Sequence, residues 1–268
     1  MQGLIILLSA WDTILTLNTT DMKVHVKIAI LVFIASFSTA CSKLNPGDCF
    51  SNTGPVSTQT RTAEPFRYIQ MNNNVDVFIT YGQEYGITVK AGKNILPGIK
   101  TEIEDLTLTI SNENTCNWLR SYDSPLEVYI TSPGIDSIVY QSSGNLTCLN
   151  AYAADSIQID VLEGAGNIDL WLNTQKSKVN LHYGTVDLSM RGYSHLNYIY
   201  SAGYGPADLS KLGTEFTYIT NNSTNNCHVK ARLSLNAEIH SVGDIYYSGD
   251  PVEINSWITG TGRLIKED

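Results

Sequence analysis

From Ser142 to Asp268 the pattern of apolar and polar positions repeats about every 20 residues. Each unit is a short alternating run, a corner of small residues, then another alternating run. The corners read as Gly144, Gly166, Gly184, Gly205, Asn225, Gly243 and Gly262, with gaps of 22, 18, 21, 20, 18 and 19 residues. Two residues past each corner stand Leu146, Ile168, Val186, Ala207, Cys227, Ile245 and Leu264, all apolar. Four past stand Cys148, Leu170, Leu188, Leu209, Val229, Tyr247 and Lys266, and three past stand Thr147, Asp169, Asp187, Asp208, His228, Tyr246 and Ile265. Positions two and four therefore point one way and position three the other, the period of a strand. Glycine at a corner permits backbone angles that a Cβ forbids, and Asn225 is the mildest replacement because Asn tolerates the left-handed region. A unit of this size cannot bury its apolar side alone and must stack on its neighbours. The pattern predicts an all-β fold: a β-solenoid, resembling a single-stranded right-handed β-helix, with apolar ladders inside.

The front half is also strand-like. Phe66–Met71, Val75–Ile79, Leu106–Ile110 and Leu126–Ile130 alternate. Turn signals separate them at Asn72–Asn74, Tyr81–Gln83, Ala91–Asn94 and Ser132–Gly134. The period is less regular here, so a boundary between two stacked subdomains is expected near Gly134. Residues 58–134 form the first and 135–268 the second.

The N-terminus reads as an export signal. Lys23 and Lys27 precede a short apolar run, Ile28–Phe37, and then Ser38-Thr39-Ala40-Cys41. Small residues before a cysteine resemble a bacterial lipobox, with Ser38 where Leu is usual, so Cys41 is the expected lipidation site. The expected natural start is Met22, with 1–21 lying upstream, 22–41 the signal and 42–57 a tether. The expected location is the bacterial outer membrane, on its periplasmic or outer side, held through the lipid. The chain has a net charge of −9 and a pI near 5.0, and carries no basic stripe, which argues against nucleic acid as a partner.

Export permits disulfides. Cys148 and Cys227 both fall on inward positions, but four corners apart. At about 4.8 Å per coil that is roughly 19 Å, beyond the reach of a bridge. They are expected to be buried free thiols. Cys49 and Cys116 lie in loop-like sequence and form the one expected pair.

Four stretches, Asp48–Ser51, Asn73–Val77, Ile95–Glu102 and Cys116–Tyr122, resemble the head GIN domain proteins of the Bacteroidota envelope, described as auto-transporter adhesins. The resemblance runs from about Phe66 to Gly262. It implies a β-helix-like solenoid in two parts and an adhesin role. With Lys266-Glu267-Asp268 at its end and no translocator barrel, the chain is not expected to be an auto-transporter by itself.

Candidate chemistry is sparse. Asp169, Asp187 and Asp208 share one outward register, so stacking is expected to bring three carboxylates about 5 Å apart, where Ca²⁺ is the only cofactor that suggests itself. The alternative is a solvated face. Trp118, Arg120 and Tyr122 are the residue types that anchor binding surfaces, or else cover a solenoid end. Asp136-Ser137-Ile138 and Asp155-Ser156-Ile157 resemble an O-glycosylation pattern and equally fit turn starts. No HExxH, CxxC, G-x-S-x-G or phosphate-binding glycine loop occurs, so no catalytic residue is assigned. The expectation is a non-catalytic envelope protein binding glycan or protein. The alternatives are a polysaccharide-lyase-like enzyme using the acidic column, or a purely structural component.

Overall fold

The computed structural model describes residues 52–114 and 125–267. They form a β-solenoid of about six turns. Cys41, Cys49, Cys116, Trp118, Arg120 and Tyr122 lie outside the described residues, as do the signal and most of the tether.

Among the described residues there are 17 strands in one continuous hydrogen-bonded sheet. They are β1 (Val56–Arg61), β2 (Tyr68–Asn73), β3 (Asp76–Tyr81), β4 (Gly86–Gly92), β5 (Ile99–Glu104), β6 (Thr107–Asn112), β7 (Leu126–Ser132), β8 (Ser137–Ser142), β9 (Leu146–Cys148) and β10 (Ser156–Gly164). The repeats add β11 (Asn167–Leu181), β12 (Asp187–Ser201), β13 (Ala207–Asn221), β14 (Cys227–Ile239), β15 (Ile245–Ser248), β16 (Glu253–Ile258) and β17 (Leu264–Lys266). β1 begins inside the segment expected to be tether.

Pairing sorts these strands into two faces. The first face stacks β1, β4, β7, β3 and β9, then the leading halves of β11 to β14, then β15 and β17. The second stacks β5, β6, β2, β8 and β10, then the trailing halves of β11 to β14, then β16. From β1, outermost on the first face, the chain passes to the middle of the solenoid at β2–β3. It descends through β4 to β7, then returns to lay β8–β9 on top of β2–β3. Near Gly134 the chain passes from β7 to β8, and the ladder runs on unbroken.

Why the coils stack follows from one column on the second face. Ile69, Ile138, Ile159, Val179, Ile199, Ile219 and Ala237 are successive register partners, and each is buried. Each isoleucine or valine of this column contributes about 1.5–3 kcal/mol by leaving water. A single coil has nothing to cover its own column, so burial exists only between coils. Cys148 and Cys227 are buried free thiols, and burial pushes both up to about 11, so neither is a thiolate at neutral pH.

The register read from the corners holds at six positions. Leu146, Ile168, Ala207, Cys227, Ile245 and Leu264 lie in one column. Val186 does not. Its place is taken by Leu188, which pairs with Ile168 below and Ala207 above. The corner of that coil is Val186, not Gly184, because Gly205 rests on the Val186 carbonyl and Gly184 on Gly164. An alternating pattern looks the same after a shift of two, so Gly184 and Val186 served it equally well.

The reason for glycine also differs from expectation. Of the residues named as corners, Gly184 alone has a left-handed φ, +97°. The others are needed because coils approach closely: a Cβ on Gly166 would lie 2.3 Å from both the Gly144 carbonyl oxygen and Tyr140 Oη. Buried Tyr140 ties these corners, donating to the Gly144 carbonyl at 2.7 Å and accepting from Gly166 N–H at 3.1 Å. Asn225 stays outside the left-handed region and holds its corner by donating its own N–H to Ser223 Oγ at 3.0 Å, while its side-chain amide donates to the Tyr204 carbonyl.

Candidate functional site

The acidic column dissolves once the register is corrected. Asp169 pairs with Ser189, and Ser189 with Asp208, while Asp187 pairs with Asn167 in another column. Asp169 is met by Arg191, whose Nη1 donates to Oδ1 at 2.6 Å. Asp208 accepts from Ser210 N–H at 2.9 Å and Ser210 Oγ at 2.6 Å. Partial burial acts to raise its pKa, but these bonds outweigh it and hold the carboxyl below its ordinary value. His228, next in the column, stacks on Tyr246 at 4.8 Å and its Nδ1 lies 3.1 Å from Glu267 Oε2. Among the described residues no three acidic, His or Cys side chains converge as a metal site.

The concave surface lies elsewhere, on the edge where the chain turns from the first face to the second. A cavity of about 540 Å³ opens there near the start of the solenoid, lined by Tyr81, Tyr85, Arg67, Asp136, Asp155 and their neighbours. Arg67 grips Asp136 through two bonds, Nε to Oδ2 at 2.6 Å and Nη2 to Oδ1 at 2.5 Å. Both Asp-Ser-Ile stretches begin at this cavity, at Asp136 and Asp155.

A second cavity, of about 280 Å³, opens on the same edge farther along. Its origin is a difference in coil length. β13 spans 15 residues and β14 spans 13. Their ladder is interrupted between the Asp208 and Thr214 pairs, so the shorter coil cuts the corner and leaves a recess above Gly213. Gly213 and Gly249 line it without side chains to fill it. Beneath, Thr214 and Thr217 bond to each other at 2.6 Å, and Ser177 donates to Ser194 at 2.8 Å, so these hydroxyls are satisfied within the bends, while Asn197 Oδ1 beside them is buried without a partner among the described residues.

Tyr193, Glu215, Lys230, Arg232 and Asp250 surround the recess. Glu215 is mostly buried and forms an ion pair with Arg232, and Tyr193 Oη donates to its Oε1 at 3.3 Å. The Arg232 guanidinium holds the Glu215 carboxyl below its ordinary value. Asp250 is held low by Lys266, whose Nζ donates to Oδ1 at 2.8 Å. Both carboxyls are therefore ionised hydrogen-bond acceptors at neutral pH, with no proton to give as a general acid. Tyr193 is raised, by desolvation first and Glu215 second, so it stays a neutral phenol.

Between the cavities the edge is aromatic. Trp171 is 39% exposed and carries the Arg191 guanidinium 5.2 Å above its ring. Three coil steps separate Asp155 from Glu215, through the backbone bond from Gln175 to Asp155 and the Thr174–Ser194–Thr214 pairing. That is about 14 Å. Of these edge residues only Asp136 and Asp155 stood out in the sequence, as the starts of the Asp-Ser-Ile stretches; Trp171, Arg191, Tyr193 and Glu215 did not. The one signal available was the shortened spacing between the second-face strands of β13 and β14.

The sequence signature of the head GIN domain, putative auto-transporter adhesin, matches residues 65–251. Several crystal structures share the fold, three of them as follows. One is a putative adhesin from Bacteroides fragilis NCTC 9343, at 20% identity and a TM-score of 0.67, covering 80% of this chain and 97% of its own. Another, from Parabacteroides distasonis ATCC 8503, is a putative adhesin at 15% identity and a TM-score of 0.62, covering 80% and 98%. The third, from the same organism, is named a putative lipid binding protein, at 19% identity and a TM-score of 0.59, covering 81% and 98%. No curated protein matches the sequence. The length of the signature match, joined to the shared fold, places this chain in the head GIN domain family of putative auto-transporter adhesins.

Proposed function

We propose that this protein is a non-catalytic envelope adhesin, anchored outside the cytoplasm through Cys41, that binds an extended glycan along the turning edge of its solenoid. The observation that carries the reading is the edge itself: two cavities about 14 Å apart with Trp171 and Arg191 between them. Exposed aromatic faces stack on sugar rings, while fixed carboxylates and guanidinium groups bond ring hydroxyls. Tyr81 and Tyr85 serve one end of the edge and Tyr193 the other. The ionised state of Glu215 and Asp250 counts against a general acid at the recess, and the neutral Cys148 and Cys227 thiols count against a cysteine nucleophile.

A glycan array of the full chain, with and without Ca²⁺, tests this. Saturable binding to oligosaccharides and not to single sugars is expected, at least tenfold weaker in Trp171→Ala and in Tyr193→Ala and indifferent to Ca²⁺. Binding that survives both substitutions, or no glycan binding at all, overturns it. A turnover product in the bound fraction overturns the non-catalytic part.

A further inference from the structure

The last coil leaves its strand bare. All six residues of β16, Glu253–Ile258, are exposed. Val252 is 85% exposed, Trp257 62%, and Ile254 and Ile258 43% each. Ile254, Ser256 and Ile258 continue the interior columns of Leu235, Ala237 and Ile239, all buried. Among the described residues they are core positions with no coil above them. Their backbone groups are free as well. Thr259 N–H donates to the Ile239 carbonyl, toward β14. Backbone direction alternates along a strand, so the N–H and C=O of residues 254, 256 and 258 face the open edge.

The neighbouring edge is different. β17 carries Lys266 on an interior column, in register with Tyr247, and Lys266 is fixed by Asp250. An inward charge blunts an edge against pairing. Among the described residues at this end, the bare edge is therefore β16 alone.

We infer that β16 pairs antiparallel with β16 of a second copy of this chain, forming a two-fold, end-to-end dimer. The occupant follows from the sequence of the edge. Its interior-facing residues read Ile254, Ser256, Ile258, the same in either direction. Centring the pair on Ser256 sets Ser256 against Ser256 and Ile254 against Ile258 of the other copy, all on the interior side. Every residue with edge-facing backbone groups then meets another, giving about six hydrogen bonds. Centring on Asn255 instead sets Ile254 against serine and makes about four. On the outer side Asn255 faces Trp257, and Glu253 faces Thr259, so no like charges oppose. From Asp250 to Glu267 three carboxylates stand against two cations, so this end is nearly neutral on a chain of net charge −9. Two such ends meet without the repulsion that the rest of the molecule exerts. A contact of one strand pair with its end face is small, and a dissociation constant on the order of 10 µM is expected.

Oxidative cross-linking of the full chain reads the register. In the two-fold arrangement, residues 256 of the copies lie about 5.5 Å apart, within disulfide reach. Residues 255 are roughly 8 Å apart, beyond it. Ser256→Cys should yield a reducible dimer well above the parent chain under the same oxidant, and Asn255→Cys should not. Sedimentation at 1–100 µM should show the parent dimerising and Ile254→Lys losing at least tenfold in association. The comparison is made against the parent, so association through other segments cancels. Ile254 is already half in water, so its replacement leaves the fold intact, as circular dichroism should verify. Equal association of parent and Ile254→Lys, or cross-linking of Asn255→Cys equal to that of Ser256→Cys, overturns the proposal.

Discussion

The two ends of this solenoid solve the same problem differently. At the start, the chain reverses direction: β4 runs antiparallel to β7 and to β1, and β5 antiparallel to β6. The reversal folds Phe66, Leu96 and Ile99 over the open coil, and all three are buried. The outermost strands there are polar. β1 presents Ser57, Thr58, Gln59, Thr60 and Arg61, and β5 presents Lys100, Glu102 and Glu104. At the other end every strand remains parallel, and parallel stacking always leaves one more edge. β17 guards its edge with Lys266, whereas β16 ends in Trp257 and Ile258. A cap thus requires a change of chain direction as well as polar residues, and only one end has both.

Deletion of apolar side chains should separate the ends most sharply. Phe66→Ala, at 0% exposure and edge-on to Tyr85 at 5.3 Å, should cost about 3–5 kcal/mol. Ile258→Ala at the bare end should cost under about 0.5 kcal/mol in the monomer. Urea unfolding at concentrations well below 10 µM measures both, and similar losses would mean that the far end is covered after all. Between the ends, Gly166→Ala drives a Cβ into the Gly144 carbonyl and Tyr140 and should cost about 1–3 kcal/mol. Gly213→Ala, with nothing nearer than 3.7 Å, should be tolerated, and the pair tests whether corner glycines answer to contact between coils.

A gain is expected at the cap. Asp105 and Leu106 form the two-residue turn between β5 and β6, with φ of +47° and +62°. Leu106→Gly should stabilise by about 1 kcal/mol, because leucine is strained there. An unchanged urea midpoint would count against that strain. The smallest effect is acid fraying of the bare end. Asp244 is held below the ordinary 3.8 chiefly by the Arg263 N–H, and Asp250 by Lys266. A lowered carboxyl stabilises the fold above its unfolded pKa and loses that contribution as pH falls through the folded value. Hydrogen-exchange protection of β17 should therefore drop below about pH 3.8 while β6 keeps its own. Equal losses would remove the distinction.

Most of the repeat architecture was legible because the interior ladder is written in alternating residues, and Leu146, Ile168, Ala207 and Cys227 fell where counting put them. Two kinds of feature escaped. Val186 escaped because a period of two cannot tell one corner from another two residues away, and that single slip assembled an acidic column that does not exist. The recess at Tyr193 and Glu215 escaped because it is a difference between coils, a missing pair of residues in β14, and no single coil shows it. β4 and β5 escaped because antiparallel capping depends on what they cover, and their own alternation does not reveal chain direction.

The slipped corner carries a consequence for descent. A coil here can change length at a corner or bulge and still place its interior residues: Leu188 follows Ile168 by 20 residues and Ala207 follows Leu188 by 19, and all three are buried in one column. Length variation among relatives should therefore accumulate at these corners, and the Gly184–Val186 corner is where an added dipeptide would pass unnoticed by the ladder above and below it.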